Sequence, residues 1–197
     1  MKKTFTRVIM ALGILCSGAV VTSCDEDTIT QIINIIGNLI NTGQTYTYTG
    51  TATSLALDGS TTAQGWMGDY INGNKPNTYN MQVALKSGNT GEITIPAYTD
   101  GKVTVNGITI SNLVLSASQD QSYTEISLDE SGNSRIDGSI TYNGVTYTTA
   151  NLYIANAQAT SAQIVLEMTI YFQGEEDGDD YSKAINFTYE GQTETAQ

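Results

Sequence analysis

Residues 139–147 read Ser-Ile-Thr-Tyr-Asn-Gly-Val-Thr-Tyr, and this short stretch holds the pattern that decides the fold. Apolar and polar residues alternate on both sides of Asn143-Gly144, as they do in strands that turn one face toward a core. Asn-Gly favours the type I′ turn, in which both central residues take positive φ and the twist matches the strands that the turn joins. The stretch therefore predicts an antiparallel hairpin in which Tyr142 faces Val145.

A second Asn-Gly pair, Asn106-Gly107, lies upstream between Lys102–Val105 and Ile108–Ile110. The same reasoning predicts a second two-residue hairpin, in which Val105 faces Ile108. The apolar residues of its two arms should then lie on one side of the sheet.

The alternation changes phase twice within apolar runs. It slips after Ser111-Asn112 and again after Ala150-Asn151, where apolar residues move from one parity of the numbering to the other. A change of phase inside a strand indicates a β-bulge, which bends the sheet and re-aims its apolar face. Bends of this kind help a sheet to curl until it closes.

Alternation of the same kind recurs along the rest of the chain. It is longest from Ile164 to Phe172, and it is also present at 79–85 and at 185–189. The alternating segments number about nine or ten and are joined by short turns, which is typical of a barrel or a sandwich. Because consecutive hairpins favour an up-and-down order, we predict an all-β, antiparallel, up-and-down β-barrel of about 8–10 strands with a short N-terminal helix.

Asp58–Thr78 is the exception, because its 21 residues show no period of two. Connections of this length are usually functional, ordered on their own or disordered. Trp66 and Tyr70 are four residues apart, so one helical turn would bring their side chains together. We take these two residues as the candidate ligand-binding residues, and the alternative is that they pack as a lid on the barrel.

Residues 1–23 have the three parts of a secretory signal. A basic start is followed by the apolar stretch Val8–Val20 and then by Val21-Thr22-Ser23-Cys24. The last four residues resemble the cleavage box of bacterial lipoproteins, which implies a cut before Cys24 and acyl chains such as palmitate on its thiol. Several chains are needed because one gives only marginal membrane binding. The alternative is an ordinary signal peptide with an incidental cysteine.

Two further features lie between the signal and the barrel. Asp25-Glu26-Asp27 resembles the export tag that sends some Gram-negative lipoproteins to the outer face of the outer membrane, and the alternative is a flexible charged tether. Thr28–Ile40 has apolar residues at helical spacing and predicts a short amphipathic helix. Since its polar face carries no Lys or Arg, packing over one end of the domain is favoured over lying on lipid. We expect the tether and helix to occupy 24–43, the barrel to occupy 44–197, and the protein to be exposed at the cell surface.

The composition limits the chemistry. The chain has 8 Lys and Arg against 20 Asp and Glu, a formal net charge of −12, which argues against nucleic acid as a partner. Its two cysteines are Cys16, in the signal, and Cys24, and it has no histidine. We therefore expect no disulfide, no cysteine-based metal or redox chemistry and no cofactor.

These features together resemble a known family. A lipoprotein signal with an acidic tag, a first strand Tyr46-Thr-Tyr-Thr-Gly-Thr and an up-and-down β-domain are similar to the calycin-like, or lipocalin-like, β-barrel lipoproteins of gut-type anaerobes. The resemblance covers roughly Tyr46 to Tyr189 and implies a fold and a location, since the family has no settled activity. The Gly-x-Trp signature of lipocalins is absent, because Gly65 and Trp66 are adjacent.

Catalytic and metal sites are weakly indicated. Carboxylates and hydroxyls are scattered, and no serine lies in a Gly-x-Ser-x-Gly elbow, so we expect no enzyme activity. The acidic run at 175–180 lies between the last two strands and lacks the ligand spacing of an EF-hand loop. We expect a solvated turn there in preference to a calcium site.

Aromatic residues carry the functional hypothesis. Twelve Tyr, three Phe and one Trp are enough to line a cavity, although inward residues such as Phe172 and Phe187 can equally fill a small barrel. We expect a non-catalytic outer-membrane lipoprotein that binds a small apolar or amphiphilic ligand in the barrel mouth, with Trp66 and Tyr70 closing over it. The alternatives are a surface module that recognises glycan or protein and, third, a hydrolase.

Overall fold

The computed structural model describes residues 39–40, 43–62, 65–71, 75–120, 122–176 and 179–193, without the side chains of 58–69 and 176–181. This part of the chain is all β and contains no helix, and therefore none long and apolar enough to cross a membrane. The predicted helix at Thr28–Ile40 lies outside the described residues except for Leu39 and Ile40, which form a turn. Cys24 and the acidic tag also lie outside them.

The described chain forms one antiparallel sheet. Its strands are β1 Thr45–Thr62, β2 Gly65–Tyr70, β3 Asn77–Lys86, β4 Gly91–Ile95, β5 Tyr98–Asp100, β6 Val103–Ala117, β7 Thr124–Ser127, β8 Arg135–Tyr142, β9 Val145–Ala159, β10 Gln163–Glu176 and β11 Asp179–Thr193.

These strands occupy eight positions around a closed barrel. Three positions hold two strands each: β2 and β3 both pair with β1, β4 and β5 both pair with β6, and β7 and β8 both lie between β6 and β9. β10 pairs with β9 and β11, and β11 pairs with β1, which closes the circuit. The predicted antiparallel, up-and-down barrel is confirmed.

The hairpin at Asn143-Gly144 is confirmed in detail. Tyr142 pairs with Val145, and Ile140 pairs with Tyr147. Asn143 has φ 51° and Gly144 has φ 83°, so both central residues take the left-handed conformation that a type I′ turn requires.

The second predicted hairpin is wrong. β6 runs without a break through Asn106-Gly107, and both residues lie opposite the single residue Ser139 of β8. Gly107 has φ 91°, whereas Asn106 is not left-handed and instead donates from Nδ2 to the Ser139 hydroxyl at 3.0 Å. A left-handed glycine serves a β-bulge as well as a turn, and here it makes the bulge. The prediction that Val105 and Ile108 share one side holds, since the extra residue keeps both buried.

Both phase changes in the sequence are bulges, as predicted. On β6, Ser111 and Asn112 together lie opposite Glu92 of β4, and Asn112 takes φ 56°. On β9, Ala150 is the extra residue, and the register with β10 shifts beside it. The bulges restore the inward direction of the apolar residues that follow them.

The middle of the barrel is filled by side chains. Every one of the eight positions contributes at least one inward residue with no water-accessible surface: Tyr48, Val83, Leu85, Ile93, Val103, Val105, Ile110, Leu113, Ile140, Tyr147, Leu166, Ile170, Phe172, Ile185 and Tyr189. A side chain of this kind borders no void large enough for a water molecule. At the level of these residues the barrel is therefore a packed core, and only its ends are left for a ligand.

Candidate ligand site at one end of the barrel

The two ends of the barrel interior differ in how their polar atoms are satisfied. We call the end near the start of β1 the closed end. There the Tyr48 hydroxyl donates to the carbonyl of Thr160 at 2.7 Å, and the Tyr189 hydroxyl donates to the carbonyl of Tyr48 at 2.6 Å. Leu39, which precedes the barrel, is fully buried in the same core. Both of these tyrosine hydroxyls are therefore satisfied by backbone carbonyl acceptors at an end that Leu39 helps to bury.

The opposite end gathers inward polar groups, and we call it the polar end. It comprises Ser54, Asn77, Tyr79, Tyr98, Asp100, Tyr142, Tyr147 and Lys183. Strand register brings these groups to one end, because Ser54 pairs with Asn77 and because Val103 pairs with both Asp100 and Tyr142.

Asp100 is the buried acid of the polar end. It has no water-accessible surface, and it ends β5 with its side chain directed inward. Ser54 Oγ donates to Asp100 Oδ2 at 2.9 Å, and Asn77 Nδ2 donates to Asp100 Oδ1 at 2.6 Å. Hydrogen bonds to a carboxylate are shorter and stronger than neutral ones. These two fix the acid and link three strands, because Ser54 lies on β1, Asn77 on β3 and Asp100 on β5.

Tyr79 and Tyr98 lie beside this acid. Their rings are in contact, with centroids 5.0 Å apart and planes at 53°. Both hydroxyls are buried, and neither makes a hydrogen bond of acceptable geometry within the described chain, although Ser54 and Asp100 are close by. Burial raises the pKa of Tyr79 to about 12, and the negative charge of Asp100 adds to this shift. The same two causes, burial first, raise the pKa of Tyr98. Both phenols are therefore protonated at neutral pH and carry an O–H to donate.

The barrel wall is incomplete next to these phenols. β3 pairs with β4 only over Ala84–Lys86, and β5 pairs only with β6, so no backbone ladder joins β5 to the first half of β3. We call this gap the β3–β5 seam. Side chains close it, through the Tyr79–Tyr98 ring contact and the hydrogen bond from Asn77 to Asp100. Both rings face inward and are only partly buried, so partly exposed phenols lie at the seam beside the buried Asp100.

Lys183 supplies a cation to the polar end. It is only 2% exposed, and its alternation with Ile185 and Phe187 directs it inward. Its Nζ lies 4.5 Å from the ring centroid of Tyr147 and 5.5 Å from that of Tyr142, which is cation–π geometry. The hydroxyl of Tyr147 is buried without a hydrogen-bond partner in the described chain.

The sequence-predicted ligand residues lie near this end but not on a helical turn. Tyr70 pairs with Leu57 and Trp66 pairs with Thr61, so both belong to the β1–β2 hairpin, which continues β1 beyond Ser54. Four residues along a strand span about 13 Å, so the two positions are farther apart than they would be on one helical turn. Tyr70 is 43% exposed, and the Trp66 side chain is outside the description.

Sequence reasoning missed the polar end itself. Asp100 stands before Gly101 at the end of a short strand, where an acid is normally a solvated turn residue. Lys183 had a usable signal, because it shares the parity of Ile185 and Phe187, whose side chains the alternation directs inward. That signal is weak, since lysine is seldom fully buried.

Among the described side chains, the geometry supports neither a metal site nor a row of exposed aromatic residues. Among the described side chains, no group of three or more Asp, Glu, Cys or His residues could hold a metal ion. β10 and β11 pair up to Glu176 and Asp179, so the acidic run is a hairpin tip, and 177–178 lie outside the description. On the outer face, Tyr70 and Tyr153 are the exposed aromatic residues of the described chain, and they lie on separate hairpins rather than in a row.

Comparisons with known proteins assign no family to this chain. No family model, no curated protein and no solved structure matches the chain.

Proposed function

We propose that this protein is a non-catalytic binding protein that holds the polar group of a small amphiphilic ligand at the polar end of its barrel. One observation carries the proposal: the hydroxyls of Tyr79 and Tyr98 are buried, have no hydrogen-bond partner among the described residues, and lie beside a buried carboxylate. Leaving a buried polar group unpaired costs about 1–3 kcal/mol, and folded proteins keep few such groups. A bound polar group that accepts from both phenols removes this penalty.

The apolar part of the ligand has its place at the mouth of the barrel. The packed core leaves no room further inside, whereas the inward rings of Tyr79, Tyr98 and Tyr142 keep part of their surface accessible. Aromatic walls with a few convergent polar atoms are typical of small-molecule sites. Trp66 and Tyr70 are proposed to close over the ligand, since their hairpin continues β1 from the same end. Because Tyr70 pairs with Leu57 on the outer face, this closure requires the hairpin to fold across the mouth.

Location and anchoring are proposals that the sequence supports. The signal-like start, Cys24 and the acidic residues after it favour an outer-membrane lipoprotein exposed at the cell surface. Acyl chains on Cys24 would hold the barrel close to lipid, where amphiphilic ligands are concentrated.

Native mass spectrometry tests the binding proposal. The chain from residue 25 onward is suitable, because it lacks the lipid-bearing cysteine but keeps Leu39, which belongs to the core. As isolated, or after mixing with lipid extract, it should carry an additional small-molecule mass. Tyr79→Phe combined with Tyr98→Phe should abolish that mass.

The matched control removes a tyrosine hydroxyl at the other end. Tyr189→Phe should leave capture intact, because that hydroxyl serves the closed end. A ligand-free mass in every mixture would contradict the proposal and favour the alternative of a surface module that recognises glycan or protein. Capture that persists when Tyr79→Phe and Tyr98→Phe are combined would show that the polar end is not the site.

A further inference from the structure

We infer that the β3–β5 seam is a gate. The ligand reaches the polar end when β5 separates from β3 at the contact between Tyr79 and Tyr98, and it leaves by the same route. This inference rests on the proposed function and adds the route by which the same site is filled and emptied.

A movement is needed because the polar groups of this end are closed off in the structure. The hydroxyls of Tyr79 and Tyr98 are buried, and Asp100, Tyr147 and Lys183 are at most 2% exposed. A ligand can contact these groups only if part of the wall moves aside, as lids and loops do over other buried sites.

The seam is the part of this wall that side chains hold together. Around the polar end the strands follow in the order β5, β6, β8, β9, β10, β11, β1 and β3, and each neighbouring pair in that order is joined by a backbone ladder. Among the described residues, the ring contact of Tyr79 with Tyr98 and the hydrogen bond from Asn77 to Asp100 close the circle between β3 and β5. One ring contact is weaker than a ladder of hydrogen bonds, so the wall should open at the seam first.

A shift of register explains why the ladder of β3 does not continue along β5. Ala84 pairs with Thr94, and the same register would place Tyr98 opposite Asn80, which is exposed on the outer face. Tyr98 instead lies level with Tyr79, whose ring it contacts inside the barrel. Since a slip of one residue exchanges the two faces of a strand, the ladder could resume only by turning Tyr98 outward.

Both prolines of the chain border the seam. Pro76 directly precedes β3, and Pro96 lies between β4 and β5. Proline has no backbone N–H to donate, and in sheets it is confined to edges and interruptions, where it discourages pairing with a further strand. The gap is therefore kept open against strand addition, as a gate requires.

Asp100 fixes one end of β5 while the other end can move. Its carboxylate accepts hydrogen bonds from Ser54 on β1 and from Asn77 on β3. The opening is therefore confined to the side of Tyr98, and β5 can keep its ladder with β6 throughout.

A removable cross-link across the seam tests the gate. By the register of the two contacts above, Asn80 is level with Ala97, and both residues are exposed. Asn80→Cys combined with Ala97→Cys places two thiols there, and the chain from residue 25 onward has no other cysteine. A short bifunctional methanethiosulfonate links the two thiols, and dithiothreitol removes the link.

The gate predicts that both filling and emptying of the site become slower. We expect the linked protein to take up monolauroylglycerol at least about tenfold more slowly than the same protein after dithiothreitol, as followed by native mass spectrometry. Protein that is loaded first and linked afterwards should lose the ligand more slowly by a similar factor in ligand-free buffer. A link that merely distorted the site would instead weaken binding and speed the loss. Equal rates with and without the link would overturn the inference while leaving the proposed function standing.

The matched control carries the same link on strands that a ladder already joins. Thr51→Cys combined with Glu190→Cys serves this purpose, because these exposed residues pair across β1 and β11. Its link should change neither rate, and equal slowing in the control would also overturn the gate. Capture of monolauroylglycerol by none of the proteins, wild type included, would contradict the proposed function itself and the gate with it.

Discussion

At the scale of single residues, a tyrosine hydroxyl can stabilise this barrel or weaken it, depending on what stands opposite. The Tyr189 hydroxyl reaches the carbonyl of Tyr48 where two glycines, Gly50 and Gly191, face each other between β1 and β11. A Cβ on Gly191 would overlap the phenol of Tyr189, so the glycine makes this hydrogen bond possible. Tyr98 has a hydroxyl of the same kind, and nothing in the described chain accepts from it.

Removing each hydroxyl should therefore shift stability in opposite directions. We expect Tyr189→Phe to lower the free energy of unfolding by about 1 kcal/mol, since a buried hydrogen bond is lost. We expect Tyr98→Phe to raise it, by up to about 1–3 kcal/mol, since an unpaired polar group leaves the interior. Urea unfolding of the ligand-free protein measures both, provided that the m-values agree. Equal losses in the two variants would mean that the Tyr98 hydroxyl has a partner in solution.

At the scale of strands, the sequence pattern predicts which segments form strands better than it predicts whether an Asn-Gly pair forms a turn or a bulge. Asn-Gly occurs in two similar settings, and it forms a hairpin at Asn143-Gly144 but a bulge at Asn106-Gly107. A left-handed glycine suits both a turn and a bulge, and the choice depends on the partner strand. Beside the bulge, β8 has Gly138, where a Cβ would lie 2.6 Å from the carbonyl oxygen of Gly107. Such a long-range contact is not visible in the local pattern. Alternation, by contrast, is local, which explains why most strands and the bulges at Asn112 and Ala150 were predictable, whereas β2 lies in a segment that shows no period of two.

The β3–β5 seam should be the weakest part of the wall. Backbone hydrogen bonds protect amides only where a neighbouring strand is present, and β5 has a neighbour on one side alone. We expect hydrogen exchange in peptides covering Tyr98–Asp100 to be faster than in β10, which is paired along both edges. A bound ligand should slow exchange at the seam and leave β10 unchanged. Equal protection of the two regions would show that the seam is closed by backbone contacts in solution.

At the scale of the whole molecule, the sequence predicted the closed barrel but not which inward positions of the barrel are polar. Periods of two and short turns are sufficient to indicate a closed antiparallel barrel, because each strand needs only to bury one face against the others. Which inward positions are polar depends on three-dimensional neighbours. Asp100 is held by residues 46 and 23 positions away in sequence, so no local pattern could reveal its partners. Trp66 and Tyr70 were selected from their spacing within Asp58–Thr78, and the structure places their hairpin beside the polar end without testing their role.

Tyrosines buried at both ends make the stability of the whole barrel sensitive to alkaline pH. Burial, as the largest cause, raises the pKa of Tyr48, Tyr79, Tyr98 and Tyr189 above the ordinary value of 10. A phenol whose pKa is raised in the folded state stabilises that state fully below pH 10, and this contribution is lost as the pH rises toward the folded pKa. For Tyr79 that window runs from 10 to about 12.

We therefore expect unfolding between about pH 10 and 12 to be cooperative, with phenolate absorbance near 295 nm appearing together with the loss of far-ultraviolet dichroism. Tyr153→Phe is the control, since it removes an exposed phenol and should leave the unfolding pH unchanged. If the buried tyrosines ionised near pH 10 while the sheet stayed intact, the phenols at both ends would be in contact with water. That result would contradict the packed interior on which the proposed binding site depends.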